Sequence, residues 1–318
     1  MPEQLSILGL WERVDPTADE APTAPLPPVP LPVADPRQEE LLSGAHALRS
    51  QIEAACIALD AVTMRAAHVQ LINQFTRQSW AEHVPAWAEG IIWLTEPSRA
   101  DELARRALSI SHDAQLPGSP RFLFESVRAT ALKRAAQRLI DERGVTAVLG
   151  DGRPAGYLAL LAGDFALACE LLEKACTAVE NSNAQWLGYR GEAAWRRGET
   201  FAAMQSYGRA SLVDPGAIDQ EVLTCQPVLE LLDLSDELEL SDSPLTYLAV
   251  LADLAGKHPI EELAVPPLAP PAVRLAGLLW AFRRSRAAGV LDEAGRIAAK
   301  REMLRLAPGG LRELLRRL

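Results

Sequence analysis

The sequence predicts an all-α protein with repeated helical hairpins at its centre. Three observations carry this expectation. The chain matches itself at an offset of 35 residues: Gly156, Gly163, Ala168 and Ala175 recur as Gly191, Gly198, Ala203 and Ala210. A fixed period in the thirties marks a helical repeat array, in which each unit buries its apolar face on its neighbours. Ala, Leu, Glu and Arg dominate the composition, and these side chains lose little on entering a helix. Aromatics make up only 5% of the 318 residues, and long runs of Val, Ile and Thr are absent, which argues against an extensive sheet.

The bulk composition bounds the function classes. With 48% hydrophobic and 23% charged residues, the chain has the balance of a globular protein. A net charge of −10 argues against nucleic acid as the main ligand, because phosphate binding needs a concentrated positive face. Cys56, Cys169, Cys176 and Cys225 show no CxxC spacing. Cys169 and Cys176 lie seven apart on one expected helix, roughly 10 Å between Cα atoms, too far for a disulfide. Small buried thiols in a reducing cytoplasm are therefore expected. No window approaches about 18 apolar residues, so no membrane span is expected. Residues 1–10 hold Glu3 and no Lys or Arg, unlike a signal peptide.

Residues 1–36 read as a disordered tail. Nine prolines fall in it, and the stretch 24–33 favours extended polyproline II over helix or central strand. In front sits an apolar segment at 5–14 with Leu8, Leu10 and Trp11. It is either a docking peptide on a semi-rigid spacer or a cover for the protein's own core.

Residues 37–145 read as an N-terminal helical domain. Asp35-Pro36 starts a helix with Glu39 and Glu40 in its first turn, and a second helix spans 62–75. Trp80, Trp87 and Trp93 follow, broken by Pro85 and Pro97. They either pack the first helices together or form an exposed aromatic patch. Ser98 is the expected cap of the next helix, and 122–143 forms an amphipathic helix closed by Gly144.

Residues 146–218 hold the repeat. In the second copy Leu187 and Gly191 sit in the first helix, Gly198-Glu199 makes the turn, Ala203, Tyr207 and Ala210 line the second helix, and Pro215 closes the unit. Gly191 and Ala203 let the helices approach, Tyr207 fills the gap, and Gly198 supplies a left-handed cap. The first copy matches at Gly156, Gly163-Asp164, Ala168, Leu172 and Ala175. This pattern resembles the tetratricopeptide repeat, a helix–turn–helix unit of about 34 residues. It departs from that family at Gly152, at Glu180, and at Ala159 and Ala194, where an aromatic is frequent. Two copies cover about a fifth of the chain, so flanking helices are expected to complete the stack.

The resemblance implies a groove formed by the first helices of successive units, and a partner peptide or helix bound there. Mapped onto this chain, the groove points to Arg153, Tyr157 and Leu160 in the first copy. In the second it points to Gln185, Gly188, Glu192 and Trp195, flanked by Tyr189 and Arg196. Leu187, Gly191 and Ala194 form the opposite, packing face. The Lys and Asn pattern by which some family members clamp a C-terminal carboxylate is absent, with Gly188 and Glu192 at those positions.

Residues 219–318 read as a C-terminal helical domain. A short helix at 247–256 precedes a loop marked by Pro259, Pro266, Pro267, Pro270 and Pro271, and a last hairpin spans 273–288 and 291–306. Residues 219–262 hold eleven acids and one Lys, whereas 283–318 hold ten Lys or Arg and four acids. These are either solvated faces or a bipolar surface that orients a partner.

The search for chemistry finds little. Gly150-Asp-Gly152 after 145–148 superficially resembles a strand and a dinucleotide loop, but the spacing is GxGxxxG and Pro154 interrupts it. No Walker, HExxH or GxSxG motif occurs, and the five histidines have no second ligand at helical spacing. The run Asp233, Asp236, Glu237, Glu239 and Asp242 lacks the alternation and central Gly of a calcium loop. No cofactor and no metal is expected. The expected function is a cytoplasmic adaptor, scaffold or assembly factor that binds another protein. The alternatives are a secretion-apparatus accessory protein working through its N-terminal segment, and an enzyme or enzyme subunit.

Overall fold

From Pro36 onward the chain is helical in this computed structural model, and no strand forms among the described residues. Those residues are 36–75, 79–97, 99–180, 182–240, 244–261, 265–266, 268–288 and 291–318. The chain divides into two units, Met1–Gly44 and Ala45–Leu318. In the first, the described part is the start of a helix. Leu8, Leu10 and Trp11 lie outside the described residues.

Helix α1 covers Pro36–Ile57 and α2 covers Ala61–Gln74. Asp60 caps α2, accepting from the amides of Val62 and Thr63 at 3.1 and 3.0 Å. Helices α3 (Val84–Thr95), α4 (Ala100–Ser109) and the short α5 (His112–Gln115) lead to α6 (Arg121–Arg143). Gly144 ends α6 at φ 86°, its amide bonded to the Ile140 carbonyl. Ser98 is outside the described residues. The residue before α4 is Arg99, which makes no side-chain cap, and the Ala100 amide is held at 3.0 Å by Glu142 of α6. Of the three tryptophans, Trp87 is buried, its indole N–H donating to the Pro117 carbonyl at 2.9 Å. Trp80 and Trp93 are half-buried, each under an arginine, Arg49 and Arg106.

The segment after Gly144 does not run as a strand. One isolated bridge joins Val148 and Pro154 around the turn at 149–152. Then come α7 (Ala155–Leu161), α8 (Phe165–Ala178), α9 (Ala184–Arg196) and α10 (Thr200–Val213). The 35-residue offset reappears here as geometry. A Cβ on Gly156 would lie 2.5 Å from Leu172 Cγ, and one on Gly191 would lie 2.7 Å from Tyr207 Cδ2. The two pairs are equivalent at that offset, so each hairpin is closed by a glycine under a large side chain. The turns are equivalent too. Gly163 and Gly198 take φ +73° and +82°, and the next amides, Asp164 and Glu199, bond back to Ala159 and Ala194 at 3.0 and 2.9 Å.

Helices α11 (Gln226–Glu237), α12 (Leu248–Leu254), α13 (Pro271–Ala288), α14 (Glu293–Leu306) and α15 (Gly309–Arg316) complete the fold. Helix α6 packs on α7, and α12 packs on α10, so both ends of the hairpin pair are covered. Among the described residues there are two apolar cores, and α8 and α9 contribute to both. Tyr189 and Ala193 belong to the core shared with α1–α8, whereas Leu187 and Ala194 belong to the core shared with Ala175 and Cys176 of α8 and with α10–α15. The four cysteines are free. Burial pushes the Cys56 thiol up to about 12, and those of Cys176 and Cys225 to about 11. No helix among the described residues is long and apolar enough to cross a membrane.

Candidate functional site

The register that aligns Arg153, Tyr157, Leu160, Gln185, Tyr189 and Glu192 brings them to neighbouring faces of α7 and α9, but those faces are closed. The rings of Tyr157 and Tyr189 meet at 4.7 Å between centroids, and the Arg153 guanidinium lies 4.7 Å over the Tyr157 ring. Tyr157 and Leu160 are buried, Tyr189 and Glu192 almost completely so. Arg153, Gln185 and Trp195 are half-buried, and Arg196 is exposed. The open aromatic groove expected here is therefore corrected at Tyr157, Leu160, Tyr189 and Glu192.

The cover is the chain's own segment 214–225, which follows α10. Ile218 in it is buried, and its Cγ2 lies 3.5 Å from the place a Cβ on Gly188 would occupy. A methyl at position 188 would thus meet the segment at ordinary van der Waals distance. The Tyr189 hydroxyl donates to Asp219 Oδ2 at 2.9 Å. Burial, then that hydrogen bond, raises the Tyr189 pKa.

Glu192 ties the segment to both helices of the second hairpin. Its Oε2 accepts from the Thr224 amide at 2.9 Å and from the Tyr207 hydroxyl at 3.1 Å. Its Oε1 accepts from Arg196 Nε at 2.8 Å and from the Thr224 hydroxyl. A carboxylate this deeply buried is tolerated because four donors surround it. Burial, with Glu192 next in weight, raises the Tyr207 pKa well above its ordinary value.

The other side of the hairpin pair is open. A cleft of about 660 Å³ lies between α8, α9 and α10, its walls carrying Glu170, Glu173, Arg190, Arg197, Glu199 and Arg209. Arg190 forms its floor. This residue is only 9% exposed, bonded through Nη1 to Glu173 Oε2 at 2.8 Å and through Nε to Ser206 Oγ at 2.9 Å. Ser206 in turn donates to the Ala202 carbonyl. Arg197 pairs with Glu199 at 2.9 Å on the rim, and Glu170 pairs with Lys174 at 2.6 Å. Burial raises the pKa of Cys169 on the wall, and a hydrogen bond from Arg197 opposes it.

The cleft therefore presents both charge signs on rigid helices, with one arginine fixed at its base. Such a surface suits hydrogen bonding to a polar polypeptide segment. The sequence register misses this side, although one signal was present: Arg190 lies between Trp186 and Ala194 at steps of four, a cation on an apolar stripe. Among the described residues no group of three or more His, Cys, Asp or Glu is placed to hold a metal ion. Comparison with family models, with curated proteins and with solved structures returns no match to this chain.

Proposed function

We propose that this protein is a binding scaffold that captures a peptide or helix of another protein in the cleft between α8, α9 and α10. The repeat underneath is of the tetratricopeptide kind. The observation that carries the reading is the recurrence of one packing device at 35 residues, Gly156 under Leu172 and Gly191 under Tyr207. Repeated hairpins of this type supply rigid extended surfaces and no reactive group. Because segment 214–225 fills the face of α7 and α9, the reading places capture on the opposite side. The four free thiols support a reducing, cytoplasmic setting.

The test is affinity capture by the intact chain from cells that express it, followed by quantitation of the retained partner. Glu170→Arg and Glu173→Arg change the cleft, whereas Arg121→Glu changes a site 89% exposed and outside it. The scaffold reading expects at least a tenfold loss with the cleft variants and no loss with Arg121→Glu. Equal capture by all three overturns it.

A further inference from the structure

A second hollow shares no lining residue with the charged cleft. It measures about 320 Å³ and lies between α11, α12 and α15. Helix α11 buries Val228, Leu231 and Ser235, and α15 buries Leu311 and Leu315. Leu234 and Leu314 each stand one position before the last residue of these rows, so the core covers one side of them and the groove takes the other. Leu251 and Leu254 of α12 complete the floor, and Ala255, just beyond α12, lines it while exposed. An apolar space of about 150 Å³ accepts one benzene ring, so this groove has room for two apolar side chains.

One charged side chain lines the groove, that of Arg317, just after α15. It is exposed, and its guanidinium has no hydrogen-bond or ion-pair partner among the described residues. On α11, Asp233 and Glu237 flank Leu234, are exposed, and have no cation partner among the described residues. They stand four apart, a like-charge spacing that is unfavourable until a cation meets it. Their neighbours are already matched: Glu230 pairs with Lys257, and Arg316 with Glu313. The groove therefore joins an apolar floor to unmatched charge of opposite sign on two helices. A helix satisfies its own backbone groups, so it can cover such a floor without the sheet edge that a strand would need. A second copy of this chain fits less well, because a twofold through the groove sets one hollow against the other and fills neither.

We infer that this groove docks an amphipathic helix of a partner protein. Two apolar side chains one turn apart fill the groove, an acidic residue on one flank meets Arg317, and a basic residue on the other meets Asp233 and Glu237. The surface has no residue in common with the cleft, so this inference stands whether or not the scaffold reading above holds.

The experiment uses the full chain, isotopically labelled at leucine methyls, at physiological ionic strength. Three stapled helical peptides share one pair of leucines a turn apart. The first carries Glu on one flank and Lys on the other, the second Glu on both, the third Lys on both. The mixed peptide shifts the Leu234, Leu254 and Leu314 methyls saturably. Exposed ion pairs are individually weak, so it binds about fivefold tighter than either uniform peptide. Arg317→Glu leaves acid on both walls and moves the preference to the all-Lys peptide. Ala255→Phe, at an exposed position, fills the groove and abolishes binding of all three, and it keeps the test usable if Arg317→Glu fails to fold. The assignment is overturned if the mixed peptide leaves these methyls unmoved, or if its preference is under twofold. It is overturned equally if Arg317→Glu keeps the original order, or if Ala255→Phe still binds. A chain that dimerises alone in sedimentation velocity, and loses the dimer in Ala255→Phe, gives the groove to a second copy and also overturns it.

Discussion

Replacing Glu192 by alanine tests whether the chain itself closes the face of α7 and α9. Glu192 is 1% exposed and accepts four hydrogen bonds. Truncation strands the Tyr207 hydroxyl, whose residue is 1% exposed, at a cost of about 1–3 kcal/mol. The Thr224 amide, whose bond to Glu192 is part-buried although the residue itself is exposed, adds about 1 kcal/mol. Loss of the buried side-chain methylenes adds about 1 kcal/mol more. Arg196 adds little, since its side chain is 44% exposed. The total is about 3–5 kcal/mol, the range found when one partner of a buried polar network is removed. Glu192→Gln keeps the volume and one carbonyl acceptor, so it is expected to cost about half as much. Urea unfolding of both variants measures the difference, with the m value checking that the denatured state is unchanged. A loss under 1 kcal/mol for Glu192→Ala would show that segment 214–225 is not fastened there.

Three further outcomes follow from the same structure. Gly156→Ala places a methyl 2.5 Å from Leu172 Cγ and 3.2 Å from its backbone nitrogen. Overpacking of about 1–3 kcal/mol then outweighs a helix-propensity gain of about 1 kcal/mol, and thermal unfolding moves to lower temperature. Glu239 is exposed at φ 50°, so Glu239→Gly relieves a left-handed conformation and is expected to stabilise by about 0.5–1 kcal/mol in urea unfolding. Burial holds the His258 pKa below its ordinary 6.5, so the unfolded chain takes the proton first as pH falls. Stability is therefore lost below about pH 6.5, more steeply than in His258→Gln. Asp253, whose pKa burial raises, contributes with the opposite sign, and because both chains retain it the subtraction leaves only the part of its shift that comes from its charge coupling with His258.

The parts of the fold legible in the sequence are those written in local chemistry. Gly163 and Gly198 mark their turns because a left-handed residue there is cheapest as glycine. The same backward bond closes three more turns: Asp60 to Ala55, Leu240 to Ser235 and Lys257 to Ala252. In two of these the left-handed residue is Leu59 or Glu239, which carries no such signal. What the five share is a small acceptor residue, Ala or Ser, five positions before the donor. Helix α11 is not singled out by a reading centred on charge, in which Asp233, Asp236, Glu237, Glu239 and Asp242 form one acidic run, although the region as a whole is expected to be helical. Asp233, Asp236 and Glu237 are on the exposed side of a helix that buries Val228, Leu231 and Ser235 and starts at Gln226-Pro227.

The candidate site was less legible, because what covers α9 comes from a non-local segment. The sequence of α9 holds one clue. Gly188, Gly191, Ala193 and Ala194 are small residues on several sides of the helix, and a helix with small residues on several sides can be packed on several sides even though it also carries Gln185, Arg190, Glu192 and Arg196. Assigning it a single packing face left Tyr189 and Glu192 on an open side. Neither Ile218 nor Thr224 announces from its own neighbours that it will sit there.

Hydroxyl-radical footprinting of the intact chain tests most directly which side of the hairpin pair is open. The structure predicts that Tyr157 and Tyr189 are at least tenfold protected relative to the urea-unfolded chain, while Phe201 is oxidised nearly as fast as when unfolded. Oxidation of Tyr157 and Tyr189 at rates matching Phe201 would contradict it, and would reopen the face of α7 and α9 as the place where a partner binds.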